Sequence, residues 1–358
     1  MTRRGPLVGA AVLIVGTLAF GLFRVVASGT SPASALATAT ASQRPSPSAA
    51  ATPTPPVYPP DDLAIAALRA RSYPASTLVT VRSDGDRGGF VDSVVSFQSD
   101  GLREYALMSI PDGRRPARGW PVVIINHGYS DPATYVTDGS PYSQFVAAFA
   151  RAGYMVLKPD YRGHGQSQGT ASGGHLSPVY AYDLLNLVST LRVDSRVDAS
   201  RIGLFGHSMG GDEVLRALVV SKDIRAAVLL AGVVGSMYDI FYNWPQPPNP
   251  APAARPIPLQ VGVENTVITE HGTPATNAAF WNSASAINYV DSITAAVQID
   301  QDIGDTVVPK LFSDHLAAAL RAAGKVVQYN TYPGDDHQFL RNRAAILAAT
   351  VAFYSAHL

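Results

Sequence analysis

The chain has 358 residues, a formal net charge of zero and 47% hydrophobic residues, a length that allows one large domain or two small ones. The neutral charge balance, with no basic stripe, excludes nucleic acid as the main partner. Cysteine is absent, which excludes disulfides and thiolate metal sites, and the sequence carries no phosphate loop, dinucleotide fingerprint or histidine metal spacing, so we expect no metal or organic cofactor.

Residues 1–27 form an apolar segment that predicts a membrane anchor or a signal peptide. Two arginines precede an apolar run from Pro6 to Phe23, which Arg24 interrupts. A membrane-spanning helix needs about 20 apolar residues, and arginines before it favour an N-terminus inside the cell. The alternative is cleavage after an A-x-A site at Ala35-Leu36-Ala37. Either interpretation predicts that the rest of the chain is extracytoplasmic, held at the membrane by this segment if it is not cleaved.

Residues 28–60 are almost all Ala, Ser, Thr and Pro, a composition that cannot bury a core. We therefore predict a disordered tether here and a folded domain over 61–358. A short helix is expected over Leu63–Arg71. Turn signals then separate three stretches typical of antiparallel strands: Thr77–Ser83, Ser93–Gln98 and Leu102–Ile110.

From residue 122 onward, apolar strand patterns alternate with amphipathic helix patterns. The predicted strands are Val122–Ile125, Tyr154–Leu157, Ile202–Phe205, Ala226–Leu230, Ala296–Ile299 and Val326–Tyr329. The predicted helices are Tyr142–Arg151, Pro178–Leu191, Gly211–Val220, Pro309–Ala323 and Leu340–Ala356. This alternation predicts an α/β fold with a mostly parallel, doubly wound sheet. Residues 236–293 interrupt it and are expected to form an insertion or cap that could lie over the active site.

The five residues Gly206-His207-Ser208-Met209-Gly210 stand between a strand pattern and a helix pattern. Strand, G-x-S-x-G and helix in that order are typical of a nucleophile elbow. A side chain at Gly206 or Gly210 would collide with the neighbouring elements. The turn presents the hydroxyl of Ser208 and leaves the N–H of Met209 free to face an oxyanion.

A second G-x-S-x-G motif, Gly165-Gln166-Ser167-Gln168-Gly169, serves as an internal control. It leads into a glycine-rich loop with no helix behind it. We therefore predict that Ser208, and not Ser167, is the nucleophile.

A serine nucleophile needs a base, and the base needs a carboxylate. The elbow predicts the order Ser, acid, His along the chain. Asp305 follows the penultimate strand and His337 follows the last one, where we expect it to open the final helix. Asp302 is a rival acid, and Asp305 could instead only cap the helix after Pro309.

The second oxyanion donor is expected in Asn126-His127-Gly128-Tyr129, directly after the first central strand. Gly128 lets the backbone approach the substrate, and the N–H of Tyr129 is the predicted donor. His127 is expected to brace this loop. In Asp160-Tyr161-Arg162-Gly163-His164-Gly165, we expect Arg162 to tie loops together.

With these residues assembled, the chain resembles the α/β-hydrolase superfamily, specifically prolyl oligopeptidase-type catalytic domains and dienelactone hydrolase-like esterases. The resemblance covers roughly residues 93–358. It rests on the segments Asn126–Tyr129, Asp160–Gly165 and Gly206–Gly210, together with Asp305 and His337. It implies Ser208, Asp305 and His337 as the triad, with Met209 and Tyr129 as oxyanion donors. Two features depart from the family: Gln301-Asp302 stands where His-Gly is common, and no propeller is present, so a gated oligopeptidase is not expected.

These expectations combine into an extracytoplasmic serine hydrolase that cleaves a small carboxylic ester through an acyl-enzyme. The alternative within the same family is a peptidase or amidase without a propeller. A different class of function is a surface binding protein on an inactive hydrolase scaffold. Such a protein needs neither the three triad residues nor the two oxyanion donors.

Overall fold

A computed structural model describes residues 60–138, 142–244 and 258–358. The predicted membrane segment and nearly all of the predicted tether lie outside these ranges. Within them, no helix combines the length and the apolar character that crossing a membrane requires.

A single nine-stranded sheet organises the domain, in the order β1-β2-β3-β5-β4-β6-β7-β8-β9. The strands are β1 (Val79–Asp86), β2 (Phe90–Ser99), β3 (Leu102–Pro111), β4 (Trp120–Asn126), β5 (Met155–Pro159), β6 (Val197–His207), β7 (Ala226–Leu230), β8 (Ala296–Asp302) and β9 (Val327–Tyr332). The first three pair antiparallel, and β3 also pairs antiparallel with β5. All pairs from β5 to β9 are parallel. The predicted fold class, including its antiparallel start, is confirmed.

Helices cover both faces of the sheet, as alternating strands and helices require. They are α1 (Ile65–Ala70), α2 (Ser143–Arg151), α3 (Val179–Val193), α4 (Met209–Val220), α5 (Met237–Tyr242), α6 (Pro258–His271), α7 (Ala278–Ala284), α8 (Lys310–Ala322) and α9 (Arg343–His357). Phe149 of α2 and Phe353 of α9 pack on one face, and Leu184 of α3, Leu218 of α4 and Leu316 of α8 pack on the other. The central strands read as continuous apolar runs because both of their faces are buried.

The strand order reverses between β4 and β6. The chain leaves β4 toward β5 on one side and continues from β6 toward β9 on the other. In open α/β sheets, ligands bind at the carboxyl ends of the strands that flank such a reversal. The loop after β4 and the turn after β6 therefore meet at the expected position of a site.

The segment 236–293 forms helices rather than strands in its described part, namely α5, α6, α7 and a 3₁₀-helix over Ala286–Ser292. Ser236 caps the N-terminus of α5 in a capping box, in which its hydroxyl and the Asp239 carboxylate each bond the other's backbone N–H. Trp244, after α5, donates its ring N–H to the carbonyl of Val307 at 2.7 Å. The segment thus contacts the loop that carries Asp305.

Candidate active site

Ser208 lies on a sharp turn between β6, which ends at His207, and α4, which begins at Met209. Its backbone has φ 54° and ψ −121°, a strained conformation for a residue with a side chain. A Cβ at Gly206 would lie 2.4 Å from the carbonyl oxygen of Gly210, and one at Gly210 would lie 2.2 Å from that of Asn126. Only glycine fits at both positions, so the turn can close tightly and present the Ser208 hydroxyl above the sheet.

Three side chains from three different loops form a continuous hydrogen-bonded line. His337 Nε2 lies 2.9 Å from Ser208 Oγ, and His337 Nδ1 lies 2.8 Å from Asp305 Oδ2. An ionised carboxylate can only accept, so Nδ1 carries the proton and Nε2 of the neutral ring accepts from the serine hydroxyl. The structure therefore brings together the three residues predicted to form the triad.

The Asp305 carboxylate is fully buried and well supplied with donors. Its Oδ1 accepts the backbone N–H groups of Val307 at 2.8 Å and Val308 at 3.0 Å. Burial alone would raise the pKa of Asp305, but the hydrogen bond from His337 and these two amides outweigh it, and the pKa lies below its ordinary value. The group is a carboxylate at neutral pH, which suits a partner for an imidazolium.

Asp302, the rival acid, has a different position. Its Oδ1 accepts the N–H of Gly304 at 2.7 Å, and its Oδ2 accepts the N–H of Asp335 at 3.0 Å. It therefore ties the loop that carries Asp305 to the loop that carries His337, and its carboxylate oxygens face backbone amides. Of the two candidate acids, only Asp305 contacts the His337 ring in the structure, whereas Asp302 bonds backbone amides.

Gln301 fills the position where the related family often has histidine. Its side-chain amide lies 3.3 Å from Asp305 Oδ2, and its Oε1 accepts the hydroxyl of Ser313 at 2.8 Å. The side chain is completely buried. Gln301 is thus a fourth hydrogen-bond donor to Asp305, beside Val307, Val308 and His337, and the sequence pattern does not predict this contact.

The expectation that His337 opens the final helix is wrong. Helix α9 begins at Arg343, and His337 lies in the turn between β9 and α9. Asp335 explains why α9 begins later in the chain, because its carboxylate accepts the N–H of Arg341 at 3.1 Å and of Asn342 at 2.6 Å. These bonds satisfy amides in a loop conformation and hold the histidine clear of the helix.

The backbone of the loop after β4 lies close to the serine. A Cβ at Gly128 would lie 3.0 Å from Ser208 Cβ, so the backbone comes very close to the elbow. His127 is buried between the rings of Tyr135 and Tyr161, and its Nδ1 lies 2.7 Å from the carbonyl oxygen of Gly128. Burial holds the pKa of His127 well below its usual range, so the neutral ring donates from Nδ1.

That contact orients the next amide. The Gly128 carbonyl and the Tyr129 N–H belong to one trans peptide unit, and in such a unit the two groups point in opposite directions. With the carbonyl turned toward His127, the N–H of Tyr129 faces away from that ring. Met209 supplies the first N–H of α4, which has no intrahelical partner and lies at the positive end of the helix dipole.

The second motif serine and Arg162 take structural positions. Ser167 is 8% exposed, and its hydroxyl donates to the carbonyl of Asp160 at 3.1 Å and accepts the N–H of Tyr105 at 2.9 Å. Arg162 bonds Asp183 and Asp100, so it joins the loop after β5 to α3 and to the β2–β3 turn. Within the described ranges, no group of three or more acidic or histidine side chains is arranged to hold a metal ion.

The chain is similar to known proteins in part of its sequence and in its fold. The family model described as "Serine aminopeptidase, S33" matches residues 120–259. An acetyl xylan esterase from Paenibacillus sp. R4 superposes with a TM-score of 0.62 at 19% identity, over 82% of this chain and 92% of that one. The chain has the α/β-hydrolase fold. The acylaminoacyl peptidase of Pyrococcus horikoshii superposes on this chain with a TM-score of 0.60 at 20% identity, over 76% of this chain and 42% of the peptidase.

Curated relatives align over parts of their length. Dipeptidyl peptidase family member 6 of Caenorhabditis elegans is 26% identical over 241 residues, which is 66% of this chain and 30% of that protein. An uncharacterised 31.7 kDa protein of Escherichia coli is 29% identical over 109 residues, or 30% of this chain and 36% of that protein. The chain thus spans about a third of the length of these two relatives. The family model thus matches the central part of the chain, and the solved structures share its fold.

Proposed function

We propose that the chain is an extracytoplasmic serine hydrolase that cleaves a carboxylic ester through an acyl-enzyme, with Ser208, His337 and Asp305 as its triad. The observation that carries this proposal is the line from Ser208 Oγ through His337 to Asp305, with contacts of 2.9 and 2.8 Å. These lengths are those of a nucleophile and base in hydrogen-bond contact, with a third group orienting the base.

In the first half-reaction, Ser208 Oγ attacks the ester carbonyl carbon while His337 Nε2 takes the hydroxyl proton. The electron pair of the carbonyl moves onto oxygen, and the N–H groups of Met209 and Tyr129 bind this oxyanion. The tetrahedral species collapses, the carbon–oxygen bond to the alcohol breaks, and His337 returns its proton to that alcohol. Asp305 stabilises the imidazolium throughout and stays ionised.

In the second half-reaction, water enters where the alcohol left. His337 takes a proton from the water as its oxygen attacks the acyl carbon. The new tetrahedral species releases the carboxylic acid, and the proton returns to Ser208 Oγ. No metal or organic cofactor takes part in this proposed sequence.

The proposed preference for esters over peptides rests on the extent of the structural similarity. The acetyl xylan esterase is matched over 92% of its own length, whereas the acylaminoacyl peptidase is matched over 42%. The described part of this hydrolase therefore corresponds to a whole esterase but to only part of the peptidase. The serine aminopeptidase family model favours the second candidate, a peptidase or amidase. A binding protein on an inactive scaffold is the least supported, because the nucleophile, base and acid are in contact.

The proposed location rests on the sequence alone. Two arginines followed by the apolar run Pro6–Phe23 are typical of a membrane anchor or a signal peptide, and both export the residues that follow. Membrane attachment through that segment, if it is not cleaved, belongs to the same proposal. Protease accessibility of the folded domain on intact cells, compared with lysed cells, tests it.

The test of the activity compares p-nitrophenyl acetate, butyrate and octanoate with aminoacyl p-nitroanilides, using the full-length protein and its Ser208→Ala variant. We expect ester hydrolysis that the variant lacks. Faster cleavage of the anilides than of every ester would establish the peptidase candidate instead. No turnover of either class by folded protein, together with no labelling by a fluorophosphonate, would overturn the enzyme proposal.

A further inference from the structure

Two buried side chains outside the triad connect the oxyanion loop to the histidine loop. The backbone N–H of Gly128 donates to the hydroxyl oxygen of Tyr142 at 2.8 Å. That oxygen lies 2.7 Å from Nδ1 of His207, and Nε2 of His207 lies 3.0 Å from the backbone carbonyl oxygen of His337. Tyr142 is 6% exposed and His207 is 4% exposed, so water does not compete for these bonds.

The chemistry of the two end groups determines where every proton in this path lies. The Gly128 amide can only donate, so the Tyr142 oxygen accepts from it. The His337 carbonyl can only accept, so His207 carries its proton on Nε2 and has a lone pair on Nδ1. The single hydroxyl proton of Tyr142 then points at Nδ1. All three bonds run in one direction, from the oxyanion loop to the histidine loop.

Burial keeps His207 in the neutral form that this path requires. Desolvation, followed by the nearby His337 ring, lowers the pKa of His207 to about 3. The two rings lie 4.9 Å apart, so a charged His207 would oppose the imidazolium that forms on His337. A neutral ring avoids that repulsion and still donates to the carbonyl.

The path joins three backbone segments at residues directly beside proposed catalytic atoms. Gly128 precedes Tyr129, His207 precedes Ser208, and the carbonyl belongs to His337 itself. The packing is close, since a Cβ at Gly128 would lie 3.3 Å from both His207 Nδ1 and the Tyr142 hydroxyl oxygen. A shift in either side chain would therefore move the oxyanion donor relative to the serine and the base.

We propose that Tyr142 and His207 are positioning residues that hold the oxyanion loop, the elbow and the His337 loop in the arrangement that binds the transition state. Neither side chain touches substrate. This inference rests on the proposed function, and it assigns to the residue before Ser208 a role in the chemical step. Because misplacing a reacting group affects the transition state more than substrate binding, the expected signature is a loss of kcat with little change in KM.

The experiment uses the full-length protein with Tyr142→Phe and the matched control Tyr354→Phe. Tyr354 is also buried, and it donates its hydroxyl to the carbonyl of Leu204 in β6 at 2.6 Å, outside the three loops. For Tyr142→Phe we expect kcat on p-nitrophenyl butyrate to fall at least about tenfold, with KM within about twofold. Inhibition by phenylboronic acid, which forms a tetrahedral serine adduct, should weaken in parallel with kcat. Tyr354→Phe should leave all three values within about twofold.

A second pair of variants makes the test independent of how well Tyr142→Phe folds. Glutamine at position 207 has one acceptor and one donor at a spacing close to that of the imidazole nitrogens, whereas leucine has neither. We expect His207→Gln to retain substantially more kcat than His207→Leu. Equal losses in both, with both folded, would overturn the proposal.

Other outcomes are equally decisive. Unchanged kcat in Tyr142→Phe, or the same loss in Tyr354→Phe, would overturn the positioning role while leaving the hydrolase activity in place. Wild-type protein that neither cleaves esters nor reacts with a fluorophosphonate would overturn the proposed function itself, and the positioning role with it.

Discussion

Two G-x-S-x-G motifs occur in this chain, and the structure builds unlike sites from them. Ser208 has φ 54° at a strand-to-helix turn, and its hydroxyl contacts a histidine. Ser167 lies in a loop, and its hydroxyl both donates to and accepts from the backbone. A histidine also stands three residues before Ser167, but the ring nitrogens of His164 face the carbonyls of Arg162 and Ser130. The five-residue pattern is therefore weak evidence, and the elements around it determine its chemistry.

The largest expected difference between the two motifs is kinetic. Ser208→Ala removes the proposed nucleophile, and we expect kcat for ester hydrolysis to fall by about 10⁴-fold or more. Ser167→Ala removes only two backbone hydrogen bonds, so kcat should stay within a few-fold while the free energy of unfolding falls by about 1–3 kcal/mol. Steady-state kinetics and urea unfolding of both variants measure this. Comparable activity losses in the two would mean that the structural context does not distinguish them.

The two acids of the Ser208 region sharpen the comparison further. Asp305→Asn takes away the carboxylate that orients His337, and kcat should fall by about 10⁴-fold. Asp302→Asn leaves the triad intact. It replaces one of the two carboxylate oxygens that accept the N–H groups of Gly304 and Asp335 with an NH₂ group, which can only donate. Its expected loss is about tenfold, through displaced loops. If Asp302→Asn were the more damaging in stopped-flow and steady-state assays, Asp302 rather than Asp305 would be the acid.

The smallest expected effect concerns stability near Ser167. Burial raises the pKa of Asp160 from 3.8 to about 6, against the lowering effects of Thr137 and Lys158. The folded state therefore holds this proton more tightly, so the group's stabilising contribution is complete below pH 3.8 and disappears as the pH rises through 6. The change is about 1–3 kcal/mol.

The Asp160→Asn variant cannot titrate, so its free energy of unfolding should depend less on pH between 4 and 6 than that of the wild type. Urea titrations at pH 4, 5 and 6 compare the two slopes. An unchanged slope would show that Asp160 titrates normally. Because this region is structural, kcat at neutral pH should change little.

Much of the fold and of the candidate site follows from the sequence because the signals are local. Apolar strand runs predict the parallel strands, and the elbow combines strand, glycines and helix within a few residues. The order of Ser208, Asp305 and His337 along the chain then follows from the position of each after a strand. The sequence pattern places the start of α9 too early, because the Asp335 carboxylate binds the amides that would otherwise extend the helix.

The contacts that the sequence did not predict join residues far apart in the chain. Tyr142 and His207 are 65 residues apart, and no periodic pattern connects them. In the sequence Gln301 is only a departure from the family pattern, whereas the fold turns its amide toward Asp305. The contacts of these three side chains depend on the direction in which each one points once the domain is packed, and the sequence pattern does not encode that direction. The predicted membrane segment and tether lie outside the described residues and stay predictions.

The most direct test of the central claim is the site of covalent labelling. The full-length protein is treated with a fluorophosphonate, digested, and mapped by mass spectrometry. We predict a single adduct on Ser208 and none on Ser167. The His337→Ala variant should be labelled more slowly than the wild type. An adduct on Ser167, or an active protein whose Ser208 stays unmodified, would contradict the account.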